Sequence, residues 1–219
     1  RNQLLTFTPP NSLSNVNYLT LAELGDFYGG LTGKSKEDFS NGNAKFITYM
    51  NVFSNISLRT DVSDTVHINA GERQNTVQYG DVLFTGSSET QEESGMTSVL
   101  TVHPKENLYL NSFCFGFRLN DKSIFLPDFL KHLLRSKSIR TQIVKAANGV
   151  TRFNVSKKVL AKVVLPIPPM QDQVRIATIL DKFERLVNDI SDGIPAEIEA
   201  RRKQYEYYRN KLLTFKRTA

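Results

Sequence analysis

The sequence predicts an α+β chain: a mixed β-rich and α domain over residues 18–170, followed by a long two-segment helical spacer of coiled-coil type over 171–219. Three observations predict it. Short apolar runs with a period of two, bounded by Gly, Asn and Ser, fill the chain up to residue 119. From Pro127 the apolar spacing lengthens to three and four. The run Leu165-Pro-Ile-Pro-Pro-Met170 then closes the domain, because its prolines can continue neither a helix nor a central strand.

Taken in order, residues 1–17 are expected to hold the stub of a preceding helical repeat and a turn-rich linker containing Pro9-Pro10. The stub rests on an echo. Arg1-Asn-Gln-Leu-Leu-Thr-Phe7 returns as Arg209-Asn-Lys-Leu-Leu-Thr-Phe215, differing only at Gln3 against Lys211. Residues 18–27 have strand-like spacing, and 29–42 form a polar loop. Further strands are expected at 44–50, 66–68, 81–84, 98–102 and 108–119. In the last of these, Phe113, Phe115, Phe117 and Leu119 share one face, with Cys114 a passive neighbour on the other.

One amphipathic helix is expected from Pro127, with Phe129, Leu130, Leu133, Leu134, Ile139, Ile143 and Val144 on its stripe and Asn148-Gly149 as its stop. A basic loop, 150–158, and a strand, 159–165, follow. Beyond the prolines, Val174, Ala177, Leu180, Val187, Ile190 and Ile194 keep the spacing of a coiled-coil seam. Gly193-Ile-Pro195 should break the helix. A second helix, 196–215, then aligns Ile198, Tyr205, Tyr208, Leu212 and Phe215. Stacked in line, the two would reach roughly 60 Å. Their stripes are expected to bury against a partner helix or, equally, against the chain's own domain.

The net charge of +6 is unevenly spread. Residues 127–162 carry nine Lys/Arg against one Asp/Glu, whereas 1–126 carry nine against thirteen. Such clustering favours a polyanion partner, because each neutralised phosphate releases counterions. Other classes drop away. There is no apolar run of about 18 residues to span a membrane. The single cysteine, Cys114, cannot form an internal disulfide, which suits a reducing, cytoplasmic setting. Gly29-Gly-Leu-Thr-Gly-Lys-Ser35 imitates a phosphate loop, but Tyr28 stands where its first glycine is needed. His67, His103 and His132 are scattered without ligand spacing, so no metal site is expected. The chain reads as non-catalytic.

The segment from Leu165-Pro-Ile-Pro-Pro-Met-Gln-Asp-Gln through Phe183, with Gly193-Ile-Pro through Phe215, closely resembles the repeated helical region of type I restriction-modification specificity (S) subunits. Leu24-Gly-Asp26, Tyr79-Gly-Asp-Val-Leu83 and Asn148-Gly-Val-Thr-Arg-Phe-Asn-Val-Ser156 are similar to looser landmarks of that family's target recognition domains. The resemblance implies a target recognition domain at 18–170, with spacer and dimerisation helices at 171–219. It also implies a subunit that reads one half of a bipartite sequence in double-stranded DNA and docks methyltransferase (M) subunits, with restriction (R) subunits joining through the complex. No cofactor is expected in this chain; S-adenosylmethionine, ATP and Mg would belong to partner subunits. A second S half, or a second copy forming a homodimer, would pair through the spacer helices. The rival reading is a stand-alone dimeric DNA-binding regulator.

On that reading Lys131, Arg135, Arg140, Lys145, Arg152, Lys157 and Lys158 are expected to track phosphates, which fixes register without reading sequence. The loops carrying Lys34, Ser35 and Lys36, then Thr85, Ser87 and Ser88, then Thr151, Arg152 and Asn154, are expected to enter a groove and read bases.

Overall fold

In the computed structural model, which describes residues 15–188 and 195–215, the first and last strands of the domain pair with each other. β1 (Asn17–Thr20) runs antiparallel to β12 (Val164–Ile167), with Tyr18 opposite Pro166. A proline is tolerated there because the sheet has only these two strands. The single strand expected over 18–27 is interrupted. Thr20 and Glu23 form a reciprocal cap that nucleates the one-turn helix α1 (Leu21–Leu24) before β2 (Gly25–Gly29) begins. Gly25 is needed at the restart, since a β-carbon there would strike the Arg118 carbonyl.

The central sheet is antiparallel, in the order β2, β9 (Cys114–Leu119), β5 (Val82–Thr85), β7 (Thr97–Val99). A second sheet places β3 (Ala44–Ile47) between antiparallel β4 (Thr65–Val66) and parallel β8 (Leu108–Leu110). A third joins β10 (Ala147–Asn148), β11 (Phe153–Val155) and β6 (Ser87–Ser88). The expected strand 108–119 is therefore two strands. The break lies at Asn111, whose side chain accepts from Phe113 N at 2.8 Å and whose carbonyl accepts from Cys114 N at 3.0 Å. Phe115, Phe117 and Leu119 stay on the buried face, but Phe113 is 60% exposed. Cys114 is buried on the opposite side, where burial pushes its thiol up to about 12 and leaves it inert.

The helix expected from Pro127 also divides, into α3 (Pro127–Leu134) and α4 (Lys137–Val144). Ser136 makes the division: its hydroxyl donates to the Leu133 carbonyl at 2.6 Å, and its extended backbone begins the second helix. Residues 147–148 then form β10 rather than a helix end, and Gly149 turns a hairpin into β11. The strand expected at 159–165 starts late, because Ser156 caps a short α5 (Lys157–Leu160) first.

Two helices follow the prolines, α6 (Met170–Asn188) and α7 (Pro195–Leu212). They are not in line. Phe183 stacks on Tyr208 with centroids 5.0 Å apart, and Leu213 and Phe215 return to a cleft shared with Val164 and Pro166 at the root of α6. The pair is a hairpin folded onto the domain. Ala177, Leu180 and Leu212 are buried in the main core with Phe129, Leu130 and Leu133, while Val174 is exposed. Ala177 and Leu180 of the expected partner seam are thus consumed by the chain's own core. The placements expected for Ile190, Ile194, the side chain of Val187 and the Arg1–Phe7 echo lie outside the described residues. Among the described residues no helix is long and apolar enough to cross a membrane.

Two polar clusters lock the hairpin down. Gln173 is buried, accepts from Leu126 N at 2.9 Å and donates to the carbonyls of Ile124 and Pro168 at 2.9 and 3.0 Å. It clamps the proline connector to the start of α3. Further along, Lys131 Nζ lies 2.9 Å from Asp181 and 3.2 Å from Glu184, and His132 lies between Asp181 (2.7 Å) and the Tyr205 hydroxyl (2.9 Å). The ligand atoms of His132, Asp181 and Glu184 fall within 4.8 Å of one another, a spacing that a metal could use. Lys131 already supplies the cation there.

Burial holds the His132 imidazole below its ordinary range, so it is neutral, donating from one nitrogen to Asp181 and accepting the Tyr205 hydroxyl at the other. Burial raises the Asp181 carboxyl, but hydrogen bonds from His132 and Lys131 outweigh it and hold that group low. Both groups bind protons more weakly folded than unfolded. Their contribution is therefore complete above about pH 6.5 and is lost as pH falls, first through the His132 range and then through that of Asp181. The expected result is a denaturation midpoint that declines from pH 7 to pH 5, with a slope approaching about 1.4 kcal/mol per pH unit for one proton. In His132→Gln that limb should flatten; an unchanged profile would show that the imidazole is not the responsible group.

Candidate nucleic-acid interface

The third sheet builds the candidate site. β6 pairs with β11 through Ser87↔Asn154 and Ser88↔Phe153, which brings two of the expected reading loops together. β6 is further tied to α2 (Tyr49–Ser54), because the Tyr49 hydroxyl donates to the Ser87 carbonyl at 2.8 Å. Between them opens a groove of about 570 Å³, walled by Tyr49, Met50, Phe53, Phe113, Glu89 and Arg152 among others. Tyr49 and Phe53 stack at 5.9 Å, and Met50 and Phe113 expose apolar surface beside them.

Thr151 and Arg152 of the hairpin line this groove, and Asn154 of the hairpin, Lys145 at the end of α4 and Lys157 and Lys158 on α5 are exposed on the same stretch of chain. Val150 at the tip is 92% exposed. Lys157 Nζ lies 5.0 Å above the Phe115 ring, which orients the ammonium without neutralising it. Gly149 has a positive φ of 153°, and a β-carbon there would meet the Arg152 carbonyl, so the turn requires glycine.

Several expected contacts are spent inside the protein. Lys131 is buried against Asp181 and Glu184, as described. Arg135 donates to the carbonyls of Thr97 (2.8 Å) and Phe53 (3.1 Å), and Arg140 to those of Gly95 (2.6 Å), Glu92 and Ser94 (both 2.8 Å). Burial draws both guanidinium groups down to about 10, still charged at neutral pH. These three cations are fasteners rather than phosphate contacts, because their donors are already engaged. Thr85 is buried and accepts from Met96 N at 2.9 Å, and Ser87 and Ser88 are largely covered. The loop at 33–36 is tied elsewhere: Lys34 pairs with Glu72 at 2.6 Å, and Ser35 binds Asp38. Lys36 alone of that trio keeps an exposed, unpaired charge among the described residues.

The aromatic wall was not anticipated. Tyr49 lies on a helix that begins inside the expected strand 44–50 and carries Phe53 beyond it, and Phe113 leaves the buried face on which its alternation places it. The run Tyr49-Met-Asn-Val-Phe53 does carry a signal, since its bulky residues recur at the four-residue spacing of a helix and Thr48 caps it.

A family profile described as the type I restriction modification DNA specificity domain matches residues 14–200. The chain is 28% identical over 219 residues to the type I restriction enzyme EcoR124I/EcoR124II specificity subunit of Escherichia coli, covering 98% of this chain and 51% of that one. It is 48% identical over 102 residues to the type I restriction enzyme MpnII specificity subunit of Mycoplasma pneumoniae, 47% of this chain and 29% of that one. The chain thus spans about half, or less, of the length of these relatives. Among solved structures, the type I restriction-modification S subunit from M. genitalium superposes with a TM-score of 0.54 at 18% identity, over 90% of this chain and 46% of that one. The likeness extends to the HsdS subunit from Thermoanaerobacter tengcongensis, with a TM-score of 0.53 at 19% identity over 97% and 47%. At these identities the superpositions establish a shared fold.

Proposed function

The chain belongs to the type I restriction modification DNA specificity family, and from that membership we propose that it reads one part of a split double-stranded DNA target and docks a methyltransferase subunit there. The observation that carries this reading is the groove beside the β10–β11 hairpin, lined by Arg152 and the aromatic Tyr49, Phe53 and Phe113 on a braced sheet, with exposed Lys145, Lys157 and Lys158 on the elements that flank the hairpin in sequence. The three lysines would track phosphates, while the polar and aromatic walls of the groove meet base edges. Catalysis would reside in partners: a methyltransferase subunit bringing S-adenosylmethionine and a restriction subunit bringing ATP and Mg. The exposed side of the helical hairpin, with Val174, Leu186 and Tyr207, is left for those subunits or for a second specificity half.

Mixing the chain with type I methyltransferase subunits and mapping methylated adenines across a genome tests the reading. A complex that methylates a discrete bipartite sequence is expected. Failure to form any complex, combined with full sequence specificity by the chain alone, would favour a stand-alone regulator instead.

Lys157→Ala with Lys158→Ala should weaken binding to every sequence alike. If each lysine meets one phosphate, the slope of log affinity against log salt becomes shallower by about 1.8. A loss confined to one sequence would contradict a phosphate role for the pair.

A further inference from the structure

We propose that Arg152 is a guanine reader: its terminal nitrogens form a two-donor fork for O6 and N7 of one G·C pair in the major groove, setting specificity at a single position. The assignment rests on the DNA-reading role given above. Arg152 Nε donates to Ser87 Oγ at 3.1 Å, which restricts rotation of the guanidinium plane. Ser87 is itself fixed, being buried, paired with Asn154 across the sheet and bound at its carbonyl by Tyr49. The guanidinium also lies 6.0 Å from the exposed Phe113 ring, a cation–π contact that further limits its swing. Among the described residues neither Nη atom meets a partner, so both remain available to a ligand.

Charge separates a base from a phosphate here. Arg152 shares its groove with Glu89 and Glu93 and with the apolar Met50 and Phe113. Two carboxylates repel a phosphate, and apolar walls solvate it poorly. A guanine edge is neutral and offers two adjacent acceptors, matching the fork; the amino group of its cytosine partner is a donor that a carboxylate accepts. Because the fork is braced before DNA arrives, little side-chain freedom is lost on contact.

The test is selection from a duplex pool with randomised positions, using the full chain alone and with a type I methyltransferase subunit. The wild type should enrich a motif containing an invariant G. In Arg152→Lys the preference at that one position should fall by roughly 5- to 150-fold while the rest of the motif persists. Arg152→Gln should move the preference toward A, whose N6 and N7 suit a carboxamide. Ser87→Ala, which frees the fork without removing it, should reduce the same preference to a lesser degree. Unchanged melting temperatures establish that the variants are folded. A motif kept intact by both Arg152 variants, or a uniform weakening of all sequences with a shallower salt slope, overturns the guanine assignment alone. A wild-type pool without any motif overturns the recognition role and this assignment together.

Discussion

Asp81→Ala is expected to lower the stability of the fold by about 3 kcal/mol, the lower end of the cost of removing one partner from a buried ion pair. Asp81 is fully buried and accepts four hydrogen bonds: from Tyr28 Oη at 2.7 Å, Gln78 N at 2.8 Å, Arg118 Nε at 2.9 Å and Arg118 Nη2 at 2.7 Å. It stands at the start of β5 and reaches Tyr28 on β2 and Arg118 on β9, so one carboxylate ties three neighbouring strands of the central sheet. Alanine would leave a guanidinium beneath Tyr28, 4.9 Å from its ring, with its charge uncompensated. The side chain of Arg118 is one-third exposed, and water can reach part of that charge, which is why the lower end applies. Chemical denaturation of the single variant and of Asp81→Ala/Arg118→Met measures the effect. The double variant should recover part of the loss, because it removes the orphaned charge as well. Equal losses in both would show that the pair is not the source.

Arg135→Ala should cost a similar amount, about 3 kcal/mol, by a different route. Among the described residues Arg135 has no carboxylate partner. Its guanidinium, on the C-cap of α3, serves the carbonyls of Thr97 in β7 and of Val52 and Phe53 at the end of α2. Removing it leaves buried acceptors unsatisfied, at about 1–3 kcal/mol for each that water cannot reach. The consequence should extend to the groove, because α2 carries Tyr49, Met50 and Phe53. DNA discrimination is therefore expected to fall in Arg135→Ala at salt concentrations where nonspecific affinity is unchanged. Arg135→Lys keeps the charge but not the fork, and should fall between wild type and alanine. A variant that loses nonspecific affinity first would return Arg135 to the phosphate-binding role its sequence position suggests.

Arg135 shows where reading the chain alone reaches its limit. A cation off the apolar stripe of a helix is ordinarily solvated, and nothing local distinguishes Arg135 or Arg140 from Lys145. For Arg135 the difference arises because α3 is covered on two sides, by β7 and by α6, and for Arg140 because the 92–95 loop lies against α4, so that positions off the stripe are also covered. Lys131 and His132 follow the same logic. Conversely, Phe113 fits the alternation of a buried strand, and only the Asn111 turn puts it on the surface. Boundaries failed where a short polar residue redirected the backbone: Thr20, Asn111 and Ser136 each divide what periodicity alone reads as one element.

The α+β class, the change from strands to helices near Pro127, the proline connector and the family resemblance were determined by the sequence itself. Local propensity, apolar period and proline chemistry act over a few residues and need no knowledge of distant partners. Tertiary structure alone decided that α6 and α7 fold back as a hairpin on the domain, that three of the expected phosphate-binding cations are internal fasteners, and that Ser87 braces Arg152 across 65 positions of chain. Those outcomes depend on which surfaces meet, and burial converts a charged side chain from a solvent-facing group into one that must find a partner within the protein.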